Sequence, residues 1–193
     1  ISPFATFIEY HKAGREVWER QMMTRCRPVA GDARLAETVS ERLIPCVYSK
    51  QDERLRSEVI RMRKLVQHEL GSPAGKYDIK RGEGGIMDID FITHYLQLRH
   101  GLDHPALRSA STRKVLRHSA EAGLLDPQTV STLLEAYDFL RLIESRLRVF
   151  DMKSVSQFSR TPANNEALAR AMGFYRGSAE ESGAAFMEAY LNI

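Results

Sequence analysis

The chain has 193 residues, 43% hydrophobic and 27% charged, a length that suits one domain or two small ones. A net charge of +3 is too small to argue for nucleic acid or an anionic membrane, and the plentiful apolar residues argue against disorder. No apolar run approaches the roughly 18 residues of a membrane span, and the two cysteines, Cys26 and Cys46, are too few for a disulfide framework or a zinc site, so they read as small buried hydrophobes.

The 19 Leu and 19 Ala outnumber the 10 Val and 10 Ile, which favours helix over strand. Residues 4–26 carry Phe4, Phe7, Ile8, His11, Trp18, Met22 and Cys26 at helical spacing, which predicts one long helix stopping near Arg27-Pro28. Asp32 caps a second helix through Leu35, Val39, Leu43 and Ile44 before Pro45. A third, about 51–70, buries Leu55, Val59, Met62 and Val66 and stops at Gly71. Residues 71–85 are the least regular stretch and read as a functional loop. A helix over about 86–100 places Ile89, Ile92 and Leu96 on one face. Ser109 or Ser111 starts a short helix that ends at Gly123. Asp126-Pro127 begins a long one reaching Phe150 through Leu133, Leu140, Ile143 and Leu147. Residues 151–161 read as a polar connection. Thr161-Pro162 starts a helix ending at Gly173, and Ser178 with Glu181 makes a capping box for the last. The fold expected is all-α: an antiparallel bundle of seven or eight helices with one irregular Gly-rich loop, forming a single domain over 1–193 in which helices 1–70 pack on a 77–193 bundle.

Chemistry concentrates in the segment from Tyr77 to Phe91. Gly82, Gly84 and Gly85 permit close backbone approach to a phosphate, Lys80 and Arg81 supply positive charge, and the loop runs into a helix N-terminus, where amides attract anions. The plainer alternative is a tight turn in which Asp88 satisfies the helix dipole. A dinucleotide fingerprint fails at Met87, and a P-loop fails because Lys80 precedes the glycines. Asp88 and Asp90 resemble a metal-binding pair, but two residues apart on a helix they point about 200° apart, so no metal site is assigned. His94, His100 and His104 lack ligand spacing and read as core or surface side chains. Arg61, Arg63, Lys64 and His68 offer a phosphate-binding face or, in the plainer reading, a solvated face paired with nearby acids, and Glu144 with Arg141 and Arg148 reads as an ion-pair ladder.

The run Lys80-Arg81-Gly82-Glu83-Gly84-Gly85-Ile86-Met87-Asp88-Ile89-Asp90-Phe91 resembles the Lys-x-Gly-x-Gly-Gly-Ile-x-Asp/Glu-Ile-Glu-Phe signature of glutamine synthetase adenylyltransferases. Trp18-Glu19-Arg20-Gln21 and Thr24 to Asp32 resemble that family's Trp-Glu-x-Gln and Arg-Ala-Arg-x-Val-x-Gly-Asp stretches, and Tyr95 to His100 and Leu168 to Gly173 follow its pattern. Asp90 stands where the family more often has Glu, and Asp151 to Thr161 departs from its wording. The resemblance implies a helical domain of a bifunctional bacterial cytoplasmic enzyme of nitrogen metabolism, from the C-terminal, adenylylating half. Its catalytic nucleotidyltransferase head is expected upstream of Ile1, and the chain, which opens without Met, reads as a piece of something longer.

ATP and magnesium are implied for the full enzyme and no cofactor or metal for this chain. The implied partners are its own head, glutamine synthetase and the signalling protein PII, with no nucleic acid and no membrane. No catalytic residue is expected here. Lys80, Arg81, Gly82, Gly84, Gly85 and Asp88 become candidates for the nucleotide side, and Trp18, Arg25, Arg27 and Asp90 for the interface with the head. The alternatives are a regulatory module that binds PII or glutamine synthetase, and the helical domain of a PII uridylyltransferase.

Overall fold

Side chains at the helix starts do much of the local work. In the computed structural model, which describes residues 3–12, 16–48, 53–70, 74–151 and 156–193, Asp32 accepts a hydrogen bond from the Leu35 amide at 2.8 Å and opens α3 (Ala33–Val47). Asp126 accepts from the Thr129 amide at 3.0 Å, with Pro127 first in α7 (Pro127–Asp151). Ser178 and Glu181 form the reciprocal capping box of α9 (Ala179–Leu191). Each cap satisfies an amide that a helix start leaves without a partner. The other helices are α1 (Phe4–Lys12), α2 (Val17–Met23), α4 (Leu55–Leu70), α5 (Ile86–His100), α6 (Thr112–Glu121) and α8 (Glu166–Ala171). Short 3-10 turns lie at Pro105–Leu107 and Pro162–Asn165. Gly123 and Gly173 end helices in the left-handed region. The class is all-α, with nine α-helices among the described residues. None of these helices is long and apolar enough to cross a membrane.

Several expectations change. The single helix over 4–26 is two, and residues 13–15 between them lie outside the described residues. Glu16 is extended and forms a capping box with Glu19, so a fresh helix starts there. The expected Trp18–Met22–Cys26 stripe faces outward, with Trp18 48% and Met22 66% exposed. The inward face carries Val17, Arg20, Gln21 and Thr24, because these polar groups find partners: Arg20 Nε donates to the Val47 carbonyl at 3.1 Å, Gln21 meets His94, and the Thr24 hydroxyl donates to the Gln21 carbonyl at 2.7 Å. The cysteines are not buried either; Cys26 is exposed and Cys46 half-buried.

Helix α3 continues through Pro45, since Leu43 and Val47 in its last turn are buried in the core. Arg63, rather than Met62 or Val66, holds a buried position on α4, and Ile92 is exposed. The start of the third helix at 51–52 and its stop at Gly71 fall outside the described residues. The supposed polar connection contains a strand: β2 (Gln157–Ser159) pairs antiparallel with β1 (Lys76–Asp78), Tyr77 opposite Phe158.

Two compact units make up the chain: Ile1–Arg63 with Asp90–Val130, and Lys64–Ile89 with Ser131–Ile193. The first has its core in Ile8, Val17, Leu43, Val47, Tyr48, Leu55, Val59 and Leu98. In the second, Phe158 meets Phe186 and Tyr190 edge-on with ring centroids 5.2 and 5.0 Å apart, a favourable aromatic geometry. Gly183 lets α9 lie against the Pro162 turn, where an added Cβ would fall 1.9 Å from the Pro162 carbonyl oxygen.

Candidate functional site

In the second unit, the Gly-rich loop between β1 and α5 is organised by two carboxylates. Asp78 is buried, and its Oδ1 accepts from the amides of Lys80 and Arg81, both at 2.9 Å. Its Oδ2 accepts from Gln157 Nε2 at 3.1 Å, which ties the loop to β2. Burial alone would raise the Asp78 carboxyl's pKa, but the Arg81 amide, the Gln157 side chain, the Lys80 amide and the Ser156 side chain outweigh it and hold it below the usual carboxylate range. Asp88, in the first turn of α5, reaches back to the Gly84 amide at 2.8 Å. The amides of Ile86 and Met87 donate to the carbonyls of Ile79 and Lys80 at 2.9 and 3.0 Å.

The expectation that backbone amides of this loop and helix start would meet an anion therefore changes. Those of Lys80, Arg81, Gly84, Ile86 and Met87 are already satisfied within the chain. An anion at this loop would be met by side chains. Among the described residues the Lys80 ammonium has no carboxylate partner, whereas the Arg81 guanidinium follows it on a backbone fixed by Asp78.

Two glycines are required. Gly84 has φ +71°, and a Cβ at Gly85 would lie 2.8 Å from the Ile79 carbonyl oxygen and 2.9 Å from that of Gly82. Gly85→Ala is expected to cost about 1–2 kcal/mol in chemical unfolding, since backbone rather than a flexible side chain must move. A change below about 0.5 kcal/mol would show that the loop yields freely.

In the first unit, Arg25 joins α2 to α5 and to the start of α6. Its Nη2 donates to Asp90 Oδ1 at 2.7 Å and to Thr112 Oγ1 at 3.1 Å, its Nη1 to the Ala110 carbonyl at 3.1 Å, and its Nε to His94 Nε2 at 3.0 Å. Thr112 also donates to Asp90 Oδ1 at 2.8 Å. A guanidinium only donates, so His94 Nε2 accepts, and the neutral ring carries its proton on Nδ1. Gln21 Nε2 lies 3.0 Å from Nδ1, and since that nitrogen carries the ring proton, the carboxamide satisfies it once its oxygen and nitrogen, alike in shape, are exchanged. Burial pushes the His94 pKa down to about 4, Arg25 adds to the effect, and Asp90 opposes it.

The sequence candidates thus fall into two groups. Lys80, Arg81, Gly82, Gly84, Gly85 and Asp88 lie together on the loop of the second unit. Trp18, Arg25, Arg27 and Asp90 belong to the first, where Arg25 and Asp90 bind each other and Trp18 and Arg27 are exposed. Asp88 and Asp90 have separate partners, and no group of three metal-binding side chains occurs among the described residues. The expected ladder is present: Glu144 accepts from Arg141 at 2.6 Å and Arg148 at 2.8 Å. Arg61 pairs with Glu58 at 2.8 Å, whereas Arg63 leaves the solvated face for the interior. The organising residues that sequence reasoning missed are Asp78 and Gln157, and the Gln21–His94 pairing. The run Asp78-Ile79-Lys80-Arg81-Gly82, an Asp four residues before a glycine, suits an Asx-turn in which the carboxylate accepts from the amide two residues on. No local signal announces the other pairings.

Comparison with known proteins adds the family. A family model described as GlnD PII-uridylyltransferase matches residues 50–193. A bifunctional glutamine synthetase adenylyltransferase/adenylyl-removing enzyme of Corynebacterium diphtheriae is 34% identical over 86% of this chain and 16% of its own length. Proteins of the same name are 33% identical in Corynebacterium glutamicum, over 95% of this chain and 18% of the relative, and in Xanthomonas campestris pv. campestris, over 86% and 18%. The chain spans about a sixth of the length of these relatives.

Proposed function

Since the chain belongs to the family of the PII-uridylyltransferase model, with glutamine synthetase adenylyltransferases as its curated relatives, we propose that it is the helical accessory domain of such an adenylyltransferase. In this reading it supports ATP-dependent transfer of AMP to a tyrosine of glutamine synthetase, or its phosphorolytic removal, and carries no catalytic residue itself. The observation that carries the reading is the Lys80–Phe91 signature on a loop held rigid by Asp78 and Asp88, within a chain similar along most of its length to these enzymes. A nucleotidyltransferase head supplies the reacting groups and holds ATP and magnesium, and PII acts as the regulator. The role of this loop is to present the Lys80 and Arg81 charges at a fixed place, where they offset phosphate charge.

Replacing both Lys80 and Arg81 by alanine in the full polypeptide is expected to lower AMP transfer by about tenfold or more with helix content unchanged. Transfer at the unaltered rate would remove the loop from the active site. The second reading, a domain of a PII uridylyltransferase, is favoured by the description of the matching family model. Incubating the full polypeptide with labelled ATP or UTP and with either glutamine synthetase or PII separates the two by which nucleotide labels which protein. A regulatory role for this domain is tested by titrating it with PII in a calorimeter.

A further inference from the structure

The first unit carries an apolar groove of about 480 Å³ that no other described residue covers. It is lined by the α3 stripe Leu35, Val39 and Leu43, spaced four residues apart, and by Met23, Cys26 and Pro28. Leu35 is 51% exposed, and α2 separately leaves Trp18 and Met22 exposed. A face of this kind fits the apolar side of an amphipathic helix, which anchors at the same i, i+4 spacing.

Charge narrows the occupant. Asp32, on the rim, is committed to the Leu35 amide. Arg108 is held by the carbonyls of Gly101 and Leu102 at 2.6 and 2.8 Å and lies over the Tyr48 ring. Arg27 is exposed and has no carboxylate partner among the described residues. An occupant that presents a carboxylate there gains a charge-assisted contact.

We infer that this groove is the docking site for one amphipathic helix of the same polypeptide, from outside residues 1–193, with its apolar side on Leu35, Val39 and Leu43 and an acidic residue facing Arg27. The inference rests on the reading of the chain as one domain of a longer enzyme. The relatives carry more than four-fifths of their length outside the matched stretch, since the match covers only 16–18% of each. A tethered segment reaches effective concentrations on the order of millimolar, which favours it over a second copy or a separate partner.

Cys26 lines the groove and serves as the reporter. Native full polypeptide is treated with N-ethylmaleimide, and modification of the Cys26 peptide is followed by mass spectrometry. Leu35→Glu is the companion variant: its exposed side chain tolerates charge, and circular dichroism checks the fold. Cys26 is expected to react about tenfold or more slowly in the wild type than in Leu35→Glu, because the carboxylate expels the docked helix. Equal rates in the two proteins, fast or slow, overturn the inference, and so does protection that fades on dilution, which assigns the groove to a second copy. AMP transfer by the same wild-type preparation tests the underlying reading separately: a protected Cys26 without transfer supports the docked helix and removes only the adenylyltransferase assignment.

Discussion

Asp78→Ala is expected to lower the stability of the chain by about 3 kcal/mol, the largest effect of any single substitution in the Gly-rich loop. The carboxylate accepts from two backbone amides and the Gln157 side chain, and hydrogen bonds to a charged group contribute about 1.5–3 kcal/mol each. The sum is offset in part by the desolvation of a carboxylate that is 1% exposed, which removal returns. Asp78→Asn keeps an acceptor without the charge and is expected to lose about half as much. Urea unfolding followed by far-UV circular dichroism measures both. A loss below about 1 kcal/mol for the alanine variant would show that the loop is held by its backbone bonds alone.

The sign of the pH dependence follows from the depressed pKa. The Asp78 contribution is fully present above the unfolded value of about 3.8 and is lost as pH falls through the lower folded value. A functional consequence accompanies it: without the Asp78 carboxylate the Lys80 and Arg81 amides lose their acceptor and both side chains are held less firmly, so AMP transfer by the full polypeptide should fall even with both cations intact.

How far the sequence could be read follows the distance between partners. The caps at Asp32, Asp126 and Ser178 were legible because donor and acceptor lie three residues apart. The place of the Gly-rich loop was legible for the same reason, as its turns close within eleven residues of chain, Asp78 to Asp88, but the acceptor role of Asp78 was not. The β1–β2 pair was not, since each strand has three residues, too few for alternation to register, and Tyr77 finds Phe158 far along the chain.

Helix α2 fails differently. Its apolar stripe is real but faces outward, and its buried face is polar because Val47 and His94 supply partners from other helices. Hydrophobic periodicity assumes that what is buried is apolar, and that assumption breaks where a network satisfies buried polar groups. The outward stripe is then information of another kind: apolar side chains that no described residue of this unit covers.

The network on α2 makes the second large prediction. His94 is 9% exposed, and both ring nitrogens are engaged, Nε2 by a guanidinium that cannot accept a proton. Protonating the ring sets two cations against each other at 3.0 Å, with Asp90 the only carboxylate among the groups named at the ring, beside Gln21, Arg25 and Thr112. The folded pKa of about 4 lies below the ordinary 6.5, so between these values the unfolded chain binds the proton and the folded chain does not. Stability is therefore full above pH 6.5 and declines as pH falls toward 4, by about 3 kcal/mol in total at roughly 1.4 kcal/mol per unit.

About 2 kcal/mol of this loss falls between pH 6.5 and 5, where ordinary carboxylates remain ionised and Asp78 contributes nothing. Trp18, the chain's one tryptophan, sits on α2 in the same unit and reports its unfolding in urea by fluorescence. His94→Gln should be less stable than wild type at pH 7 and should lose most of the slope between pH 6.5 and 5. A small slope of the same sign remains from His100, whose pKa is lowered by burial and by Arg99 and His104 against Asp103. A wild-type chain whose stability is flat across that window, or a variant with the same slope, would mean that His94 opens to solvent and takes up its proton without breaking the Arg25 contact.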